Sequence, residues 1–191
     1  DRFVKKYIGA KDFIDGNNRY CIWITEGIKD EAYLIPELAE RFQKVRDFRL
    51  ASKKAATRKK AATPYFFDER KYQETSSIIT PQTTSEKREY IPMGFLDKTY
   101  VVSNGARVIY NADSWMFGLL SSKMHNTWIQ SVSGRLETRI QYSNTLCYNT
   151  FPFPDISEEQ KNNLSILSLN IISEREKHPE KTLAQLYDPN K

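Results

Sequence analysis

The sequence predicts an α+β domain: a mixed or antiparallel twisted sheet with flanking helices, followed by a C-terminal helix. Three observations predict it. Short β-branched and aromatic runs separated by turn residues cluster between Ser77 and Tyr110. Helical apolar spacing recurs after Pro36, after Asp113 and after Ser157. Strands and helices do not alternate in the regular βαβ order that builds a parallel sheet.

The 191 residues are 39 % hydrophobic and 28 % charged. That is enough apolar surface for a core, in one large domain or one domain with a small appendage. No run approaches the roughly 18 apolar residues of a membrane span. The opening Asp-Arg-Phe-Val-Lys-Lys-Tyr has no apolar signal-peptide region. It also lacks an initiator Met, so a piece of a longer chain is expected. Cys21 and Cys147 lie in apolar-aromatic contexts and are expected to be buried thiols in a reducing compartment.

In chain order, 7–26 reads as a loop, an Asp15-Gly16-Asn17-Asn18 turn and a strand from Arg19 to Thr25. Pro36 suits a first helical position, and Leu38, Phe42, Val45 and Phe48 recur at helical steps, predicting a helix over 36–51. Residues 52–64 have no amphipathic period and read as an exposed loop ending at Pro64. Strands are expected at 77–80 and 90–95, on either side of a polar loop. Asn104-Gly105 between 100–103 and 107–110 predicts a hairpin. Asp113 caps a helix to about Val132 with a Met116, Leu120, Met124, Trp128 stripe, and Gly134 stops it. The run 135–142 alternates polar and apolar residues, and 151–154 is extended linker. Ser157 and Gln160 form a capping box for a helix over about 158–177, with Leu164, Leu167 and Ile171 on one face and His178-Pro179 as its stop.

Catalytic constellations are missing from this sequence. It contains no Gly-x-Gly-x-x-Gly, no Gly-Lys-Ser/Thr phosphate loop and no Gly-x-Ser-x-Gly elbow. His125 and His178 are far apart and lack zinc-ligand spacing, so a structural role is expected for His125. The nuclease-like run Glu174-Arg175-Glu176-Lys177 falls on a helix with no strand acid before it. A binding module is favoured over a catalyst.

Charge is unevenly placed. Residues 41–60 hold nine Lys and Arg against one acid, Asp47, leaving 20 basic and 23 acidic residues elsewhere. A local basic stripe on a near-neutral domain is the footprint of a polyanion partner, although charge runs are often only solvated faces. Membrane binding is disfavoured, because no strong apolar face accompanies the stripe. As a strand, 134–143 puts Glu137, Arg139 and Gln141 on one face. These side chains suit base edges in a major groove: Arg to guanine, Glu to cytosine N4, Gln to adenine. An exposed strand face with a surface ion pair is the plainer reading of the same spacing.

Several ordered motifs carry a resemblance: 7–14 (Tyr-Ile-Gly-Ala-Lys-Asp-Phe-Ile), Arg19-Tyr20-Cys21-Ile22-Trp23, Val45-Arg46-Asp47-Phe48-Arg49 and Thr57-Arg58-Lys59 to Thr63-Pro64. They continue with 85–92 (Ser-Glu-Lys-Arg-Glu-Tyr-Ile-Pro), 117–122, Gly134-Arg135-Leu136-Glu137 and Tyr148-Asn149-Thr150-Phe151-Pro152. Over nearly the whole chain the sequence resembles the target recognition domain of MmeI-like single-chain type II restriction–modification enzymes. The resemblance implies residues 1–154 as the recognition domain and 155–191 as a C-terminal helical segment, with 186–189 opening the family's short helical end. It implies a cytoplasmic, prokaryotic parent with an upstream nuclease and an adenine-N6 methyltransferase domain. S-adenosylmethionine and Mg²⁺ would belong to the parent, with no cofactor in this fragment. Double-stranded DNA is the implied partner.

The resemblance also implies site residues. Glu137 and Arg139 match the first two base-reading positions of the family's Glu-x-Arg-x-Arg stretch, and Gln141 departs from the Arg usual at the third. Another reader lies on 103–106, near Asn104 and Gly105. Backbone contacts are expected from Lys53, Lys54, Arg58, Lys59, Ser85, Arg88 and Arg135. The competing expectations are a module that docks to another subunit of a restriction system, and, opposed by the missing motifs, a stand-alone nuclease or methylase.

Overall fold

Gly9, Asp12 and Gly16 make a short helix where the sequence reads as a loop. The Gly9 amide donates to Asp12 Oδ2 at 2.9 Å, closing the first turn. Gly16 sits at φ 72°, the left-handed conformation that ends helices. In the computed structural model, which describes residues 2–188 and 190, this helix, α1 (Ala10–Asp15), lies between strands β1 (Val4–Ile8) and β2 (Arg19–Ile22) in sequence. Helices α2 (Lys29–Tyr33), α3 (Pro36–Leu50) and α4 (Ala55–Lys59) follow. Strands β3 (Ser77–Pro81), β4 (Thr83–Thr84), β5 (Gly94–Leu96), β6 (Tyr100–Val102) and β7 (Ala106–Tyr110) come next. The chain ends with α5 (Ser114–Leu120), α6 (Lys123–Val132), β8 (Gly134–Leu136), β9 (Arg139–Gln141), α7 (Glu158–Glu176) and α8 (Leu183–Leu186). This is the α+β class that the sequence predicts. Among the described residues no helix is long and apolar enough to cross a membrane.

The chain divides into two compact units, the first formed by Asp1–Lys6 and Tyr20–Tyr72, the second by Tyr7–Arg19 and Gln73–Lys191. In the first, Ile24, Ala32 and Phe42 form the core, with Leu38 and Tyr65 packed against them. Phe42 meets Tyr33 edge-on at 5.1 Å. Phe48, expected on the apolar stripe of α3, is instead 77 % exposed. The inward position falls to Arg49, seven residues after Phe42, because a helix repeats its face every 3.6 residues. Its guanidinium donates to the carbonyls of Lys60 and Thr63 at 2.9 Å and Phe66 at 2.7 Å. Those bonds brace a segment expected to be a loop, which instead forms α4 and a 3₁₀ turn, Lys60–Ala62, with Ala61 buried.

In the second unit, β3 is buried along its length and pairs antiparallel with β5 and β7, setting Ile78 opposite Phe95 and Ile109. Ile78, Met93, Phe117, Leu120, Ile129 and Tyr142 belong to the main core. The Asn104-Gly105 turn forms, with Ala106 N donating to Ser103 O at 3.1 Å. Its strands diverge rather than pair as the expected hairpin: β7 joins β3, while Ser103 N donates to Ile8 O at 2.8 Å. The helix expected over 113–132 is two helices. Ser121 and Ser122 interrupt it, and the Ser122 hydroxyl caps α6 by accepting from His125 N at 3.2 Å. Met124, expected on the stripe, is half exposed, and His125 is buried in its stead.

The capping box of α7 forms as expected, with Gln160 N donating to Ser157 Oγ at 3.2 Å and Ser157 N to Gln160 Oε1 at 2.9 Å. Leu167 is not on its buried face; Ser168 is. The reason is Gly118 of α5, where an added Cβ would lie 2.7 Å from Ser168 Oγ and 2.8 Å from the Leu164 carbonyl. Phe151, in the expected linker, is a buried anchor whose ring centroid lies 4.4 Å from that of His125. Cys147 is buried and Cys21 half-buried, both free thiols whose pKa burial raises. Of the stretch 186–189, Leu186 closes α8, and Pro189 lies outside the described residues.

Candidate nucleic-acid interface

The run 134–142 is a hairpin rather than one continuous strand. Strands β8 and β9 pair antiparallel, with Gly134 opposite Gln141, Arg135 opposite Ile140 and Leu136 opposite Arg139. The two-residue turn is Glu137-Thr138. Glu137 has φ 58°, at a position where such turns favour glycine. The expectation that Glu137, Arg139 and Gln141 share a strand face is therefore corrected, because Glu137 sits at the tip. Arg139 and Gln141 do alternate with Ile140, which is buried in the core. Arg139 Nη2 donates to Glu137 Oε2 at 2.7 Å, and both side chains face solvent.

The sheet extends through β4, where Thr83 pairs with Gln141 and Thr84 with Ile140. The candidates after β4 brace this edge. Ser85 Oγ accepts from Lys87 N at 3.2 Å, and half-buried Arg88 donates to Thr84 Oγ1 at 3.3 Å. Arg135 reaches the carbonyls of Thr138 and Gln130, each at 3.4 Å. Glu86 is held below the usual carboxylate range, first by its own backbone amide and then by the Thr138 hydroxyl. Thus Arg88 and Arg135 each hold part of the hairpin's surroundings.

A groove of about 500 Å³ opens beside the hairpin, lined among others by Lys11 and Asp15 of α1, Gln82, Gly105, Leu136 and Gln141. Two candidate base-reading segments far apart in sequence, 104–105 and 137–141, are thus represented on one groove by Gly105 and Gln141. Asn104 is exposed next to Gly105. Gln82, its amide turned to suit its neighbours, donates to the Asn104 carbonyl at 3.3 Å and accepts from Arg107 Nη2 at 3.2 Å. Glu137 and Arg139 lie past Leu136, at the hairpin tip.

Lys11 and Gln82 are groove residues that sequence reasoning misses. The signal for Lys11 was present: Gly9 and Asp12 flank a helix start, and Gly16 is a stop. Lys11 and Asp15 then stand four apart, on one face of α1. Gln82 carries no such signal, since its place depends on a two-residue strand.

In the first unit, the basic run divides into engaged and free cations. Arg49 is spent on three carbonyls, Arg58 Nη1 donates to the Ser52 and Lys53 carbonyls at 2.9 Å, Lys44 pairs with Glu40, and Lys60 with Asp68. Arg41, Arg46, Lys53, Lys54 and Lys59 are exposed, and among the described residues none of them has an ion-pair partner. These are the cations best able to exchange counterions for phosphates.

Among the described residues no three His, Cys, Asp or Glu side chains come together in a group that could hold a metal. Buried His125 has Nε2 3.2 Å from Tyr142 Oη, and burial lowers its pKa to about 4. Burial also raises the pKa of Tyr142.

Comparison with known proteins agrees with this architecture. The profile of the family described as "MmeI, target recognition domain" matches residues 1–155. "DNA methyltransferase A" of Bacillus subtilis (strain 168) is 40 % identical over 188 residues, 98 % of this chain and 21 % of that protein. The chain also superposes on the type IIL restriction–modification enzyme MmeI, solved in complex with DNA, with a TM-score of 0.92 and 37 % identity, covering 100 % of this chain and 25 % of that one. The chain thus spans about a fifth of the first relative and a quarter of the second. By sequence and by fold, it belongs to the family of MmeI target recognition domains.

Proposed function

We propose that the chain reads the sequence of double-stranded DNA on behalf of a larger restriction–modification polypeptide. The observation that carries this reading is the groove on which Gly105 and Gln141 meet. Separate segments that converge on one groove can present donors and acceptors to neighbouring base pairs. Gln141, Asn104, Gly105, Glu137 and Arg139 select bases, with Gln82 beside them. Lys53, Lys54, Arg58, Lys59, Ser85, Arg88 and Arg135 hold phosphates and set register. The relatives' names support a methyltransferase as the remainder of the parent. In the proposed arrangement an upstream domain of the same chain methylates adenine N6 from S-adenosylmethionine, on a base extruded from the duplex. An upstream nuclease, served by Mg²⁺, cuts the same site, so one reader sets both specificities. The setting is a prokaryotic cytoplasm.

Competition binding against a library randomised at one position at a time tests this. Gln141→Ala should relax preference at one position by roughly 1–3 kcal/mol. Lys53→Ala should weaken all sequences alike and reduce the salt slope. If Gln141→Ala and Glu137→Ala both lower affinity uniformly, base reading by the hairpin is wrong. Salt-insensitive complex formation without DNA would instead favour a subunit-docking module.

A further inference from the structure

Helix α7 is clamped on one side and bare on the other. On the inner side, the Ser168 hydroxyl donates to the Ser114 carbonyl at 2.6 Å, and Arg175 donates to the Met93 carbonyl at 2.6 Å. Ile171 and Ile172 pack against the main core. On the outer side, Ile166 and Leu169 are 57 % and 60 % exposed, while Leu167, on the flank beside the inner face, is 56 % exposed. The run 162–173 (Asn-Asn-Leu-Ser-Ile-Leu-Ser-Leu-Asn-Ile-Ile-Ser) contains no charge, in a chain whose residues are 28 % charged. A helix with apolar residues on opposite sides is normally enclosed by protein on both. Asn162, Ile166, Leu169 and Ser173 follow one another at steps of four, three and four. That is the spacing of a seam against a second helix lying alongside.

We infer that the outer face of α7 seats a helix of the methyltransferase part of the longer polypeptide; this rests on the reading proposed above. The absence of charge argues against DNA, whose recognition needs cations to displace counterions. It also argues against a lipid surface, which needs a cationic polar face beside the apolar one. The relatives are four to five times as long as this chain, so most of their length lies outside the fold described here. Burying Ile166 and Leu169 stabilises the joint. Clamping α7 to α5 and to the Met93 carbonyl then ties the reading groove rigidly to the domain that acts on the base.

Hydroxyl-radical footprinting of the 191-residue chain and of the full-length polypeptide tests the inference. The side chains of Ile166 and Leu169 should label in the short chain and be protected in the full-length monomer. Ile166→Lys should restore labelling of Leu169 in the full-length protein and leave DNA binding by the short chain unchanged. Equal labelling in both wild-type chains overturns the inference. So does protection that appears in the short chain with rising concentration alongside a doubled mass by light scattering, which would identify a second copy as the occupant. Methyl transfer from labelled S-adenosylmethionine to DNA by the full-length protein is read in parallel. Transfer with an exposed α7 sinks only this inference, whereas no transfer sinks the reading beneath it.

Discussion

Arg139 donates through Nη2 to Glu137 Oε2 at 2.7 Å, so the two residues at the hairpin tip are bonded to each other while Glu137 holds a left-handed backbone at φ 58°. The pair is solvent-exposed and adds less than about 1 kcal/mol to the fold. The backbone conformation costs roughly 1–2 kcal/mol for a residue with a Cβ. Glu137→Gly is therefore expected to raise stability in urea titrations by up to about 1 kcal/mol. The same variant should lose discrimination at one base pair by roughly 1–3 kcal/mol. Lower stability in Glu137→Gly would mean that the ion pair outweighs the strain.

Lys53 and Arg49 lie four residues apart and should behave oppositely. Lys53 is exposed and holds no ion-pair partner among the described residues. Lys53→Ala should leave the unfolding midpoint unchanged and lower the slope of log affinity against log salt by about 0.9. Arg49→Ala strips the donor from three carbonyls. It should destabilise the chain by on the order of 3 kcal/mol, measured by denaturant unfolding. Equal effects of the two variants on stability would remove the distinction between free and structural cations.

His125 makes the fold sensitive to acid. It is buried, and its pKa falls from 6.5 to about 4 because burial disfavours the imidazolium. The folded value lies below the unfolded one, so the unfolded chain takes up a proton that the folded chain refuses. Stability is thus full above pH about 6.5 and is lost as pH falls towards about 4, by up to about 3 kcal/mol. Glu26, Glu40, Asp68 and Glu174 are held low, first by hydrogen bonds to lysines, and lose their contributions only below about pH 4.5. The window above that belongs mainly to His125. Urea midpoints at pH about 7 and about 5 should differ in the wild type and converge in His125→Gln. A wild-type midpoint that does not move across this window would place the imidazole in water.

How much of this was legible in the sequence depends on how far each signal reaches along the chain. Local signals survive: the Ser157–Gln160 box, Pro36 opening α3 and the Asn104-Gly105 turn all form. Signals that require a partner elsewhere do not. The stripe ending at Phe48 fails because the carbonyls of Lys60, Thr63 and Phe66 draw Arg49 inward. Leu167 is displaced from the buried face of α7 by contact at Gly118, 49 residues earlier in the sequence. The period-two reading of 134–142 misses the turn because Glu137 is an unusual residue for a positive φ. Both candidate reading segments were legible as motifs. Their shared groove was not, because it depends on α1 and on the two-residue strand at Thr83.

The closest test of the clamp beneath α7 is Gly118→Ala. Within a helix this exchange alone favours folding by up to about 1 kcal/mol. Here the new methyl group would lie 2.7 Å from Ser168 Oγ and 2.8 Å from the Leu164 carbonyl oxygen. The hydroxyl can rotate away, at the cost of its bond to the Ser114 carbonyl. The carbonyl oxygen belongs to the α7 backbone and moves only if the helix does. Overpacking of this kind costs roughly 1–3 kcal/mol and outweighs the gain in propensity, so Gly118→Ala should be net destabilising in urea titrations. Adding Ser168→Ala removes the first clash and not the second, so it should restore only part of the loss. Full restoration in the double variant would show that the helices are free to separate by a few tenths of an ångström. A rigid link through α7 from the groove to the rest of the polypeptide would then be untenable.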